Sequence, residues 1–552
     1  MDRTQLLQHF DTLAETPEAV DKLRAFVFVL AVRGSLVPQS DKDESGAELL
    51  KRILDEKRRL TRESTIKKTP VLEPITADAY PFVIPKSWAW AYLNDFGDWG
   101  SGSTPNRTNH DFYDGTIPWL KSAELNDGIV SESEEKVTEL ALEKCSLRLN
   151  KPGDVLFAMY GATVGKVAIL GIESTTNQAV CACTCFSGVF NRYLFILLKA
   201  FKQQFISESA GAAQPNFSKD KIIRTIAPLP PLAEQRRIVA KVEELLALCD
   251  ELEAQQTAAR EHRTRLVRSA LDHLTTAKDE TDFKKHSVFC LQHSELLFDS
   301  VPALRQAILS LAVQGHLVPR VPKDGNGADV VSKFSLREQP NADHILDLVL
   351  PAHWAITAFS NLARIRSGVT KGRNLADRKT KSFPYLRVAN VQRGYLELDV
   401  MKDIEIPVEE LEKFRLEAND LLLTEGGDWD KVGRTAIWRE EIVNCIHQNH
   451  VFRARLVSEE LKPEWFMLYL NSPVGRRYFE SASKQTTNLA SINATELRGC
   501  PVPVPPLAEQ QRIVAKVDEL MRWCDAMEAR LTAARTTATH LLDATLHQIL
   551  TA

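Results

Sequence analysis

The apolar positions of this chain change period along its length, and the changes mark out its elements. After Pro230 they fall at Ile238, Val242, Leu245, Cys249 and Leu252, then at Ala259 and Leu266. After Pro505 they fall at Ile513, Val517, Leu520, Cys524 and Met527, then at Leu531, Ala534 and Leu541. Steps alternating between four and three predict the a/d seam of a long amphipathic helix. Neither stretch contains Gly or Pro over about 40 residues, which predicts a length of about 60 Å at roughly 1.5 Å per residue. A proline pair stands just before each stretch, where it ends the preceding element and starts the helix. Helices this long rarely lie on one compact domain, so the pattern predicts two copies that pair with each other.

The two stretches are also nearly the same phrase. "PPLAEQRRIVAKVEEL" (Pro230 to Leu245) and "PPLAEQQRIVAKVDEL" (Pro505 to Leu520) differ only at Arg236/Gln511 and Glu243/Asp518, so the chain is read as an internal repeat. A second phrase opens each half: "LAVRGSLVP" at Leu30 to Pro38 and "LAVQGHLVP" at Leu311 to Pro319. Both predict an arm helix closed by a left-handed glycine, Gly34 or Gly315, and a polar linker follows. "PKSWAWAYL" from Pro85 and "PAHWAITAF" from Pro351 then align Trp88 with Trp354 and open segments rich in short β-type runs and Gly, Asn and Asp turns. These predict mixed α/β globules built on a sheet. Within them "GATVGK" sets Lys166 against Arg434 of "DKVGR", and "TNQAV" sets Gln178 against Gln448 of "IHQNHV". The expected organisation is an arm and linker over 1–80, a globule over 81–229, a long helix over 230–280, a second arm over 281–350, a second globule over 351–504 and a second long helix over 505–552. The fold class is α+β, with two mixed α/β globules separated by two long helices.

The composition narrows the class. At 552 residues the chain exceeds what one core usually supports, and 44% apolar with 26% charged residues is ordinary globular usage. The longest apolar run, Ala25 to Val32, is far short of a membrane span and "MDRTQLLQHF" has no signal-peptide pattern, so a cytoplasmic protein is expected. Nine cysteines without a Cys-x-x-Cys pair point to reduced thiols; Cys181, Cys183 and Cys185 fall on one strand face and read as buried packing. A net charge of −4 argues against a uniformly basic nucleic-acid binder and leaves room for a local basic groove.

Candidate chemistry is thin. "GATVGKVAIL" falls short of a phosphate loop, with three residues between its glycines and Val167 after Lys166. No Asn-Pro-Pro-aromatic motif and no glycine-rich turn for an adenosyl cofactor is present, and His447 and His450 lack a third ligand at recognisable spacing. No cofactor or metal is expected, and the chain reads as non-catalytic. What remains is a set of long amide and cationic side chains on turns: Lys121, Tyr160, Lys166, Gln178, Gln214 and Asn216 in the first globule, and Arg387, Asn390, Gln392, Lys431, Arg434, Gln448 and Asn488 in the second. Arg and Lys reach guanine edges and phosphates, and Asn and Gln pair two-pronged with adenine, so these residues are equipment for a major groove. From the residues alone three readings stand: a two-headed binding module, a coiled-coil scaffold for other proteins, and an enzyme.

The two "PPLAEQ" phrases, the two "LAV" phrases, the Trp88 and Trp354 openings, "GSGSTP" from Gly100 and "QPNFS" from Gln214 together resemble the DNA specificity subunits of type I restriction-modification systems over essentially the full chain. The resemblance implies that the globules are target-recognition domains, each reading one half of a split sequence in double-stranded DNA. It implies that the long helices pair antiparallel as a ruler, in pseudo-two-fold symmetry that mimics a dimer on a duplex. Ile238, Val242, Leu245 and Leu252, with Ile513, Val517, Leu520 and Met527, would form the coiled-coil and docking positions. Two methyltransferase subunits would dock there, restriction subunits would join the full complex, and no membrane is involved. The arms would serve subunit docking. The second globule has "TTNLASINATEL" from Thr486 where the first has "QPNFSKDKI", so the match of Asn216 with Ser491 depends on the alignment.

Overall fold

A computed structural model describes residues 16, 18–209, 216–277, 280–292, 300–341, 350–376, 378–427, 431–486 and 489–551. The chain divides into two compact units, one of residues 1–258 with 535–552 and one of residues 259–534.

Each globule is entered and left through a two-stranded neck. Ala89–Tyr92 pairs antiparallel with Ile226–Leu229, and Ala355–Ala358 pairs with Pro501–Val504. The prolines of these strands, Pro228, Pro501 and Pro503, are tolerated because a two-stranded ribbon has only edges. About 130 residues in the first globule and about 140 in the second are thus inserted between two adjacent strands, so the interior of a globule can change without moving its attachment to the following helix.

The body of the first globule is a five-stranded sheet of β1 (Gly97–Ser101), β2 (Ile129–Val130), β3 (Val155–Ala158), β4 (Val167–Leu170) and β5 (Val180–Cys185), in the order β1-β5-β3-β4-β2. Its central strands are buried on both faces. Val155, Phe157, Cys181 and Cys183 belong to the core that receives the helices, and Leu156, Ala158, Val180 and Ala182 belong to a second core on the other side. This is the period of two expected when both faces of a strand are covered. The second globule has the four-stranded sheet β6 (Ala363–Ser367), β7 (Leu421–Thr424), β8 (Thr435–Ile437) and β9 (Val451–Leu456), in the order β6-β9-β7-β8. Here Leu421, Leu423, Phe452 and Ala454 face one core and Leu422, Ala436 and Val451 the other.

The long helices run Leu232–Thr275 and Leu507–Thr551. Their repeated opening phrase is a joint with the globule. Glu234, Gln235, Glu509 and Gln510 are all buried. Gln235 Nε2 donates to Pro230 O at 3.0 Å and its Oε1 accepts from Phe190 N at 2.8 Å, while Gln510 Nε2 donates to Pro505 O at 2.8 Å. Glu509 accepts from Trp354 Nε1 at 3.0 Å and meets His353 Nε2 at 2.8 Å; Glu234 accepts from Gln39 at 2.7 Å. This corrects part of the seam read from the sequence. Ile238 and Val242 are buried in the core of the first globule, with Leu245 packed against it. Ile513 and Val517 are buried in the core of the second, with Leu520 and Met527 packed against it. An apolar stripe on a helix fixes which face is covered and says nothing of what covers it, and over these turns the cover is a core built by the helix's own globule and arm. Leu252 is half-buried.

The arm helices, Ala19–Val32 and Val301–Val313, are spent at least in part within their own units. Arg24 binds Asp250 and Glu253, each at 2.6 Å, and Arg305 binds Asp525 at 2.6 Å and Glu528 at 3.2 Å. The apolar side of the first arm packs Leu23 and Phe26 with Ala538, Leu542 and Leu546, and Lys22 meets Asp543 at 2.5 Å. The second arm packs Leu304, Ala307 and Leu311 with Val267, Leu271 and Leu274. Each arm therefore holds the opening part of one long helix and the closing part of the other. Gly34 and Gly315 end the arms at φ 72° and 79°. A Cβ there would also lie 2.3 Å from Pro85 and 2.4 Å from Pro351, so both backbone and packing demand glycine.

Candidate nucleic-acid interface

One end of each sheet collects the residues singled out by the sequence. β1 and β3 finish and β4 and β5 begin at the same edge, because Ser101 pairs with Cys181, Ala158 with Val180 and Phe157 with Val167. Three loops leave from this edge: the one after Ser101, the 159–166 connection and the 177–179 turn. Two further segments are tied to it. Asn177 N donates to Leu120 O at 2.9 Å, which sets Lys121 beside the turn, and Phe217 N donates to Met159 O at 2.9 Å, which sets Asn216 beside Tyr160.

The second globule repeats this edge bond for bond. Ser367 pairs with Phe452, Thr424 with Val451 and Leu423 with Thr435. Gln448 N donates to Leu386 O at 2.9 Å, and Ile492 N donates to Glu425 O at 2.9 Å. Lys166 and Arg434 are equivalent by this register: Ala158 N donates to Lys166 O as Thr424 N donates to Arg434 O. Each follows a glycine with positive φ, Gly165 at 82° and Gly433 at 66°, which turns the chain back into the sheet. Asn216, paired with Tyr160, matches Ser491, paired with Gly426. The register also makes a correction. Asn177, not Gln178, is the equivalent of Gln448, and Gln178 matches Asn449; a one-residue shift was invisible because both turns carry two adjacent amides.

The side chains at these matched positions differ. In the first globule Lys166 is half-buried and Gln178 and Asn216 are exposed, and none has a side-chain partner among the described residues. Lys121 is committed to Glu135 at 3.1 Å and Glu134 at 3.3 Å. Hydrogen bonding to Glu135 raises its pKa, and Arg107, also bound to Glu135, holds that carboxyl below its ordinary value. Tyr160 is half-buried against the globule's core. In the second globule Arg434 Nη1 donates to Gln392 Oε1 at 2.7 Å, and Gln392 Nε2 donates to Ala389 O at 2.9 Å. Arg387 Nη2 donates to Val400 O at 3.1 Å. Gln448 is half-buried with no side-chain partner among the described residues, and Lys431 is half-buried in the 425–434 connection. Gln214 and Asn488 lie outside the described residues.

Asn390 is a correction. It is 2% exposed, its Oδ1 accepts from Arg387 N at 3.0 Å, and its Nδ2 donates to Glu397 O at 2.8 Å and Val400 O at 3.2 Å. Its amide braces a turn and is not available to a ligand. Its match in the first globule, Glu124, does the same to Lys121 N at 2.8 Å. Sequence reading also missed Asn177 and Asn449, which stand on the matched turns next to the residues it chose. His447 is fully buried, with Nδ1 at 2.7 Å from Val451 O, and burial pushes its pKa down to about 3. His450 is exposed and pairs with Glu425 at 2.6 Å. No group of His, Cys, Asp and Glu that could hold a metal ion is found among the described residues, and no described helix is long and apolar enough to cross a membrane.

Comparison with known proteins adds the family. The family model for the type I restriction modification DNA specificity domain matches twice, over residues 85–261 and 351–534. The EcoEI type I restriction enzyme specificity subunit of Escherichia coli is 26% identical over 561 residues, covering 95% of this chain and 93% of that protein. The EcoAI specificity subunit of Escherichia coli is likewise 26% identical, over 585 residues, with the same coverage. The crystal structure of the HsdS subunit from Thermoanaerobacter tengcongensis is 18% identical, covers 85% of this chain and 97% of its own, and gives a TM-score of 0.40. With a specificity domain in each half, the chain belongs to the type I restriction-modification DNA specificity family, and it is a specificity subunit and not an enzyme.

Proposed function

We propose that the chain reads a bipartite target in double-stranded DNA, one half with each globule, and carries partner adenine methyltransferase and restriction subunits to it. The observation that carries this reading is the pair of matched sheet edges. The same backbone bonds present Lys166, Asn177, Gln178 and Asn216 in one globule and Arg434, Gln448, Asn449 and Ser491 in the other. One frame with two sets of groove-reading side chains is what two different half-sites require.

Further features support the assembly. Each unit holds the opening part of one long helix and the closing part of the other, as antiparallel pairing in pseudo-two-fold symmetry would give. Large apolar residues stand exposed at matched positions: Leu248 (54%) with Trp523 (65%), and Leu266 (54%) with Leu541 (47%). Two like surfaces fit two copies of one partner. The test exchanges residues 85–228, bounded by the neck strands, for the same segment of another specificity subunit. One half of the methylated sequence should change and the other stay; if both halves change together, the globules do not read independently.

A further inference from the structure

The two globules differ in arginine content, and part of the difference falls on one sheet face. Residues 351–504 hold fourteen arginines, against four in residues 85–229. Four of the fourteen stand on two neighbouring strands, with Arg364 opposite Arg455 and Arg366 opposite Arg453. By register the first globule has Asp98, Gly100, Ala182 and Thr184 at these places. There a single arginine completes the face: Arg148 donates to Thr184 Oγ1 at 2.9 Å and to Asp98 O at 3.1 Å, and pairs with the Asp98 carboxylate at 3.1 Å. The fold therefore needs only one balanced guanidinium.

In the second globule two of the four have structural work. Arg455 binds Asp420 at 2.7 Å and Glu417 at 2.5 Å, and Arg453 donates to Arg415 O at 2.6 Å. Arg366 is exposed and, among the described residues, donates only to Lys413 O at 3.2 Å. Arg364 is exposed and has no partner among the described residues. Among the described residues, the four arginines have Asp420 and Glu417 as their carboxylate partners, both on Arg455. Like charges directly opposite on paired strands destabilise a sheet. The Nε atoms of Arg415 and Arg453 are buried without an acceptor among the described residues, and burial, then Arg455, lowers the pKa of Arg453. The like charges cost stability, and Arg364 offsets none of that cost with a contact among the described residues.

The position of these arginines relative to the sheet edge bears on their role. Arg366 precedes Gly368 by two residues, and Arg453 follows the 448–450 turn by three, so the arginines begin about 7–10 Å from the reading loops at roughly 3.3 Å per residue. We propose that the exposed Arg364 and Arg366, beside the buried Arg453 and the carboxylate-bound Arg455, bind the phosphodiester backbone of the duplex beside the second half-site, a grip the first globule lacks. Guanidinium forks suit phosphate oxygens. The inference rests on the DNA reading above and adds an asymmetry to it: affinity is drawn unequally from the two half-sites, and phosphates supply more of it at the second.

The test uses the full chain assembled with its methyltransferase subunits, a target duplex and a scrambled duplex, from 50 to 200 mM salt. For Arg364→Gln with Arg366→Gln, the slope of log affinity against log salt should fall by about 1.8 for two lost phosphate contacts. The wild type then loses about tenfold more affinity than the variant across this range, on both duplexes alike. Arg364→Lys with Arg366→Lys should keep the slope. An unchanged slope in a glutamine variant of unaltered melting temperature overturns the proposal, as does a variant whose only defect is failure to assemble, which would assign the face to an acidic protein surface. If the wild-type complex shows no salt-dependent duplex binding, the DNA reading itself fails, and that result is distinct from either.

Discussion

Lys166 and Arg434 occupy one backbone position in two chemical settings, and this makes them a matched probe of the proposed reading. Lys166 lacks a side-chain partner among the described residues, whereas Arg434 is aimed by Gln392 at 2.7 Å. An aimed guanidinium can bind a guanine edge two-pronged; an ammonium is a point charge. Lys166→Ala should therefore weaken target and non-target duplex alike and reduce the salt slope by about one unit. Arg434→Ala should cost about 1–3 kcal/mol on the target only and relax discrimination at one base of the second half-site. Binding titrations on single-base variants of the target separate the two outcomes. His447 gives a prediction independent of DNA. Its folded pKa of about 3 lies below the ordinary value of 6.5, so between these limits the unfolded chain binds a proton that the folded chain does not. Stability should rise with pH from about 3 to 6.5, by up to about 1.4 kcal/mol per pH unit. The repeat supplies the control: Thr176 stands at the matched place, and His447→Thr should flatten that part of the denaturation curve. Residue roles were the least legible part of the sequence. Asn390 and Gln448 are both amides on polar turns, and only the three hydrogen bonds that enclose Asn390 tell a brace from a side chain left open.

At the scale of elements the sequence was far more informative, because period and punctuation are local properties. The proline pairs before Leu232 and Leu507, the glycines that end the arms, and the repeated phrases all leave marks within a few residues. What covers an apolar stripe is not local, and the seam was misjudged for that reason: Ile238 and Ile513 have heptad spacing and are both 0% exposed inside globule cores. The arms show the converse. Arg24 and Arg305 stand at matched places in the two arms, and the structure gives each arginine two carboxylates on a long helix. Arg24→Ala should loosen the first arm by about 1 kcal/mol, read as faster hydrogen exchange over residues 19–32 with the 301–313 helix unchanged. Leu248 and Trp523, exposed on the same turn of their helices, should matter to partners and little to the fold. Leu248→Glu with Trp523→Glu should leave the melting temperature near wild type and weaken methyltransferase docking by about 2 kcal/mol or more per site, the loss typical of a central anchor. Sedimentation of the assembled complex measures it; undiminished assembly would place the docking surface elsewhere.

For the whole molecule, the proposed reading raises the question of what sets the gap between half-sites. Each globule is held to the start of its own long helix by a buried joint, and each arm holds the start of one helix and the end of the other. The divisions between the units fall at Ala258/Ala259 and at Ala534/Arg535. A heptad inserted at both divisions leaves every contact within the two units in place and lengthens only the stretch that joins them. Seven residues keep the apolar seam nearly in register and add about 10.5 Å at roughly 1.5 Å per residue. Along a duplex that rises about 3.4 Å per base pair, this corresponds to roughly three more unspecified base pairs between unchanged half-sites. A four-residue insertion in one helix alone rotates one side of the seam against the other, and it should cost assembly instead of shifting the spacing. The readout is the methylated sequence in cells that carry the lengthened chain with its methyltransferase partner. Methylation at a spacing about three base pairs longer makes the helices the ruler. Methylation that persists at the original spacing assigns the gap to the partner subunits, and the long helices then serve to join the globules without measuring the distance between them.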